Sequence, residues 1–152
     1  WSGNLKKRLV RSPKVYVRDS GILHALLELD AFDSISGHPS YGHSFEGMVL
    51  ENVLSALRPG WRASFFRTAS GDEIDLVLEK GARRVAIECK ASAAPELERG
   101  FWRAREEIAI EQILVVANVE EIYPIGKDIL VVPPSEAVLK SALGFPPIKN
   151  KG

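Results

Sequence analysis

The sequence predicts an α/β sandwich in which a mixed central sheet, containing an antiparallel three-strand meander, is flanked by helices. A helical apolar stripe over residues 43–57 is followed by three strand-like runs joined by short turns. A second amphipathic stretch then leads into Ile113-Leu114-Val115-Val116-Ala117, a continuous apolar run typical of a strand covered on both faces. With 152 residues, 45% of them apolar, the chain buries one core rather than two.

Residues 1–42 read as a basic lead-in that packs on the core. Val15-Tyr16-Val17, after Pro13, makes a short extended piece, and Asp19 or Ser20 caps a short helix carrying Ile22, Leu23, Leu26 and Leu27. Residues 30–42, rich in Ser, Gly, His and Pro, read as a loop. In the helix over 43–57, Phe45, Val49, Leu50, Val53, Leu54, Ala56 and Leu57 cover one half of the wheel, and Gly47, Glu51, Ser55 and Arg58 the other. Glu46 breaks this division. It projects near the middle of the apolar arc, with Leu50, Val53 and Leu57 on successive turns above it. A carboxylate directed into a core is unfavourable unless it is paired, protonated or bound to a cation. Glu51 reads as a plain surface acid.

Pro59-Gly60 ends that helix. The three strands run from Trp61 to Thr68, Glu73 to Glu79 and Arg83 to Lys90, separated by Ala69-Ser70-Gly71-Asp72 and Lys80-Gly81-Ala82. Strict alternation puts Glu73, Asp75 and Val77 on one face, opposite Ile74, Leu76 and Leu78. It likewise puts Val85, Ile87 and Cys89 opposite Ala86, Glu88 and Lys90. A helix over 96–109 follows Pro95, with Leu97, Phe101, Ala104 and Ile108 as its stripe. After the strand at 113–117, Ile129-Leu130-Val131-Val132 forms another, Pro133-Pro134 stops it, and a short helix runs from Ser135 to Leu143. The core domain is thus 43–143, with 144–152 as a tail.

The single cysteine, Cys89, excludes an internal disulfide framework and an all-cysteine zinc site, and a reducing cytoplasmic location is expected. No apolar run approaches the roughly 20 residues of a membrane span, so no membrane association is expected. Trp1 stands where a Met would begin a whole protein, which reads as a fragment. Twenty basic and twenty acidic residues cancel, whereas proteins that grip duplex DNA unaided usually carry a positive excess. Lys6, Lys7, Arg8, Arg11, Lys14 and Arg18 nonetheless cluster near the start. They form either a solvated arm or interdomain contact, or a strip that binds nucleic-acid phosphates through residues such as Lys7 and Arg8.

Glu88-Cys89-Lys90 puts an acid and an amine on one strand face, and Asp75 lies on the preceding strand of the hairpin. With Glu46, three carboxylates that can converge suit a hard divalent cation, Mg2+ or Mn2+. Such an ion polarises a phosphodiester and lowers the pKa of a bound water, while Lys90 could hold that water and offset charge. Each residue also has a plainer role. Glu88 and Lys90 could be an exposed ion pair, Asp75 a hydrogen-bonded structural acid, and Glu46 a partner of backbone N–H groups or of Arg67. Together they could be only a buried polar network pinning sheet to helix. Arg67 and Thr68 could contact a phosphate or satisfy Asp75 and Glu73, and Glu73 itself could support the metal-binding acids from behind. His24, His38 and His43 lack a zinc spacing, Cys89 packs in the core, and Phe101-Trp102 is helix packing.

Helix-borne Glu46, then Asp75, then Glu88-Cys89-Lys90 resemble the motif set of the PD-(D/E)XK nuclease superfamily, restriction-endonuclease-like sandwiches. A narrower resemblance is to the uncharacterised C-terminal domain of many prokaryotic AAA-family ATPases. It is carried by Lys7-Arg8-Leu9-Val10-Arg11-Ser12-Pro13-Lys14-Val15-Tyr16, Asp19-Ser20-Gly21-Ile22-Leu23 and Gly42-His43-Ser44-Phe45-Glu46. Phe66-Arg67-Thr68, Gly71-Asp72-Glu73-Ile74-Asp75 and Ile87-Glu88-Cys89-Lys90-Ala91-Ser92 continue it, closely over 5–92 and loosely beyond. The resemblance implies that Asp75 and Glu88 ligate the metal with the Cys89 carbonyl, that Glu46 ligates directly or through water, and that Lys90 is the catalytic lysine. It also implies a preceding N-terminal ATPase module with a winged-helix segment; this chain has no G-x-x-x-x-G-K-[ST] loop and is not the nucleotide-hydrolysing part. Two functions are therefore expected: an Mg2+-dependent phosphodiester hydrolase on DNA or RNA, or a non-catalytic module that binds nucleic acid or protein and regulates the attached ATPase.

Overall fold

A computed structural model describes residues 15–135. Lys7, Arg8 and the basic residues around them, the helix expected at 135–143 and the tail at 144–152 lie outside the described residues. Three short or long helices come first, α1 (Ser20–Leu26), α2 (Phe32–Ser36) and α3 (Tyr41–Ala56). Three strands follow, β1 (Arg62–Arg67), β2 (Glu73–Lys80) and β3 (Arg83–Lys90). Then come α4 (Arg99–Glu107), β4 (Gln112–Ala117), β5 (Tyr123–Gly126) and β6 (Ile129–Val132). No described helix is long and apolar enough to cross a membrane.

The strands form one sheet in the order β1-β2-β3-β4-β6-β5. β1, β2 and β3 are the expected antiparallel meander. The sheet then turns mixed, because α4 carries the chain back so that β4 pairs parallel to β3, and β6 parallel to β4. Each face has its own apolar layer. Phe45, Val49, Leu50 and Val53 of α3 meet Leu76, Leu78, Val85, Ile87, Leu114 and Val116 on one side. Phe101, Ala104 and Ile108 of the α4 region meet Val77, Ala86, Ile113, Val115 and Val131 on the other. β4 feeds both layers, which is why its sequence shows no alternation.

Local chemistry sets the boundaries. Asp19 caps α1, its Oδ1 accepting from the Gly21 and Ile22 amides at 2.8 and 3.1 Å. Gly71 and Gly81 supply the left-handed φ values, +84° and +61°, that the two meander turns need. Several expectations are corrected. Residues 30–42 are not all loop, since Phe32–Ser36 makes a short helix and α3 already starts at Tyr41. The helix expected over 96–109 is shorter, Arg99–Glu107. Val15-Tyr16-Val17 joins no strand; Tyr16 lies across α3, its ring beside Gly47. Edge strand β5, exposed along its whole length, has no counterpart in the sequence reading.

The alternation expected in β2 fails at one point. Ile74 packs in the α4-side layer, whereas Leu76, two residues on, packs in the α3-side layer. On a regular strand the two would share a face. The pairing with β1 explains the change: Ser64 faces Val77, but Phe66 faces Ile74, so β2 holds one residue more than β1 across this interval. This is a β-bulge around Asp75, and it re-aims that side chain.

Candidate functional site

The bulge lies where β2 and β3 part. Their ladder runs from Lys80 and Arg83 only to Leu76 and Ile87, although β3 continues beside β4 as far as Lys90. In the opening, a side chain takes over from the backbone: Asp75 Oδ2 accepts the Cys89 N–H at 2.9 Å. Asp75 thereby turns toward α3, where it borders a cleft shared with Tyr16, Gly47 and Leu50.

Three carboxylates meet there. Glu46, Glu73 and Asp75 each offer an oxygen within 4.8 Å of the others. Glu46 comes from the inward side of α3 and is only 13% exposed, its second oxygen standing 4.0 Å from His43 Nδ1. The Tyr16 hydroxyl donates to Glu46 Oε1 at 2.5 Å. Glu73 pairs with Arg67, Nε to Oε2, at 3.2 Å. Of the two roles open to Arg67, the geometry supports charge satisfaction of Glu73. Thr68 is 1% exposed, and its hydroxyl bonds Ser70 at 2.8 Å within the turn.

Glu88 and Lys90 adjoin this group through Asp75. Regular alternation with Ala86 brings them toward the α4 side, and Lys90 Nζ lies 3.2 Å from Glu88 Oε1 and 3.3 Å from Glu98 at the start of α4. The Glu88 side chain is 9% exposed, and its Oε2 is buried with no hydrogen-bond partner. Burial, and then the charge of Asp75, push the Glu88 carboxyl from 4.5 up to about 8, against the smaller pull of Lys90 and the Asp75 amide. Burial works to lower the Lys90 amine, but Glu88 and Glu98 outweigh it and the amine is raised.

A carboxyl that keeps its proton at neutral pH beside another acid is what an added cation would relieve. The donor set is all carboxylate oxygen, which suits magnesium or manganese rather than a soft metal. Among the described residues the acids that meet are Glu46, Glu73 and Asp75; Glu88, expected among them, adjoins the group only through Asp75.

Two supporting residues went unread in the sequence. Tyr16, in the extended lead-in, holds Glu46. Asp72 was read only as a turn residue, yet it is 1% exposed and accepts from Arg103 at 2.6 Å and from the Ser70 hydroxyl at 2.8 Å. It fixes the turn that delivers Glu73 and Asp75, and Gly100 of α4 lies beside that turn. The sequence signal was slight: an acid beside the turn glycine, with no partner visible locally.

Comparison with known proteins agrees with this extent of structure. The family model described as Domain of unknown function (DUF4143) matches residues 41–137. The uncharacterized proteins Rv2008c of Mycobacterium tuberculosis and Mb2031c of Mycobacterium bovis are each 33% identical to the chain over 133 residues. The alignment covers 88% of this chain and 30% of each relative, so the chain spans under a third of their length. Since the matched stretch contains α3, the whole sheet and α4, the chain belongs to the DUF4143 family.

Proposed function

We propose that this domain is a divalent-metal-dependent phosphodiester hydrolase acting on DNA or RNA, of the PD-(D/E)XK type. The observation that carries the reading is the buried, unpartnered Glu88 Oε2 beside Asp75, with the Lys90 amine 3.2 Å from the other Glu88 oxygen. The order of α3, the β1–β3 meander, α4 and parallel β4 supports the same assignment. Asp75 and Glu88, with the Cys89 carbonyl, would hold the ion, and Glu46 would complete its shell directly or through water. The ion supplies polarisation of the phosphodiester and a more acidic bound water. Lys90 orients the attacking water and offsets negative charge on the pentacovalent phosphorus. Glu73, tied to Arg67 and standing beside Glu46 and Asp75, keeps those acids in place. In the full-length protein the domain would follow an N-terminal AAA-family ATPase module. The large share of the relatives outside the alignment leaves room for one.

Incubating the purified chain with single- and double-stranded DNA and RNA in Mg2+ or Mn2+ tests this. Cleavage is expected, abolished by EDTA, by Asp75→Ala and by Lys90→Ala; cleavage persisting in both variants refutes the site. The balanced charge, twenty basic against twenty acidic residues, favours a second reading. In it the domain binds nucleic acid or protein without cutting and regulates the ATPase. Calorimetry with Mn2+ separates the two, because only the hydrolase requires ion binding that Glu88→Gln weakens.

A further inference from the structure

The Lys90 ammonium stands between two carboxylates, 3.2 Å from Glu88 Oε1 and 3.3 Å from Glu98 Oε1. The two acids differ in setting. Glu88 lies two residues back on β3 with its side chain 9% exposed, whereas the Glu98 side chain is 81% exposed. Glu98 opens α4, yet its side chain caps none of the helix's own amides and reaches across to β3 instead. Its backbone is held in place. Phe101 and Ala104 bury the inner side of α4. Arg103 ties the same helix to Asp72, in the turn that leads to Asp75, Nη2 to Oδ1, at 2.6 Å. The helix that carries Glu98 is thus fixed against the strand that carries the acids.

We infer that Glu98 is a positioning residue, which holds the Lys90 ammonium at the site after Glu88 has given its charge to the cation. The inference rests on the hydrolase reading and adds a residue to it. Without an ion, Glu88 restrains Lys90 from its own strand. An ion held by Asp75 and Glu88 takes up that negative charge and repels the ammonium, because like charges a few ångströms apart in a half-buried site oppose one another strongly. Lys90 has a flexible four-carbon stem and its side chain is 22% exposed, so a way out to solvent is open. Glu98 stays as the counter-charge on the α4 side, apart from the acids that meet at Glu46, Glu73 and Asp75. An exposed pair contributes little to folding, so its effect on the lysine separates from any effect on stability.

Lysine acetylation of the whole chain, read by mass spectrometry with and without saturating Mg2+, tests the restraint directly. In Mg2+, Lys90 should label about tenfold faster in Glu98→Ala than in the wild type. Without Mg2+, where Glu88 still holds the amine, the two rates should agree within about twofold. With a DNA or RNA strand that the wild type cuts, Glu98→Ala should lower kcat about tenfold and leave KM unchanged. Glu98→Gln should fall between, and Glu96→Ala, which removes an exposed acid on the same lead into α4, should match the wild type. Mn2+ affinity by calorimetry and melting temperature should stay at wild-type values in Glu98→Ala. If its labelling and kcat are those of the wild type while the ion binds and the strand is cut, the inference falls and the hydrolase reading stands. A loss of Mn2+ affinity or of stability in step with kcat would show a structural brace instead, and would also overturn the inference. If neither Mg2+ nor Mn2+ binds, or no strand is cut, the hydrolase reading falls and takes the inference with it.

Discussion

Replacing Glu88 by Gln should stabilise the metal-free protein, and the gain should depend on pH. Glutamine approximates the protonated carboxyl in shape and charge, so the variant never has to ionise inside the sheet. Below pH 4.5 the carboxyl is protonated both folded and unfolded, and contributes no difference. As pH rises toward about 8, the unfolded chain ionises while the fold still holds the proton, so stability is lost progressively and the loss is complete above about 8. At about 1.4 kcal/mol per pH unit, the loss is about 3 kcal/mol at pH 7 and at most about 5 kcal/mol above pH 8. For a chain of this size that corresponds to a melting temperature about 10 °C higher for Glu88→Gln at pH 7, and to little difference at pH 4.5. Scanning calorimetry in EDTA at pH 4.5, 7 and 8.5 checks it. Adding Mn2+ to a hundredfold excess over its dissociation constant should return about 3 kcal/mol to the wild type and much less to the variant. A variant that is no more stable than wild type at pH 8.5, or a difference that does not grow with pH, would refute the assignment of Glu88 as a carboxyl strained by burial and by Asp75.

Lys90→Met should keep the fold within about 1 kcal/mol of wild type at pH 5, because the stem still packs and a protonated Glu88 is not left as an unpaired buried charge. It should abolish cleavage at pH 7; retained cleavage would leave Lys90 a structural residue only. Asp72→Ala should cost about 3 kcal/mol in urea unfolding, since it strips the buried turn of its acceptor and Arg103 of its partner. Tyr16→Phe should cost about 2 kcal/mol by the same measurement, the value of a hydrogen bond to a charged acceptor, without lowering helix content.

Elements whose residues decide their own geometry were legible in the sequence. β3 has its expected limits at Arg83 and Lys90, and α3 buries the stripe expected over Phe45–Leu57 as far as Val53, with Leu54 exposed. The turn glycines and the Asp19 cap also act over a few residues. What escaped was settled at a distance. Strand β5, Tyr-Pro-Ile-Gly, has neither alternation nor burial and exists because it pairs with β6. The bulge at Asp75 is fixed by the register against β1, which period-two reasoning on β2 alone cannot see. Alternation does put Glu73 on the face of Asp75, and its carboxylate stands beside that of Asp75. Glu46 was legible because a charged residue inside an apolar arc is anomalous locally. Its partner Tyr16, thirty positions away, was not.

The Cys89 amide is bonded to a carboxylate where its neighbours along β3 are bonded to carbonyls. Its proton therefore answers to the charge on Asp75, while amides a few residues earlier answer only to the unfolding of the sheet. Exchange at that one position turns the backbone into an electrometer for the acids, readable without substrate: a cation drawing on Asp75 should loosen the Cys89 proton and leave those of Val85 and Ile87 as they were.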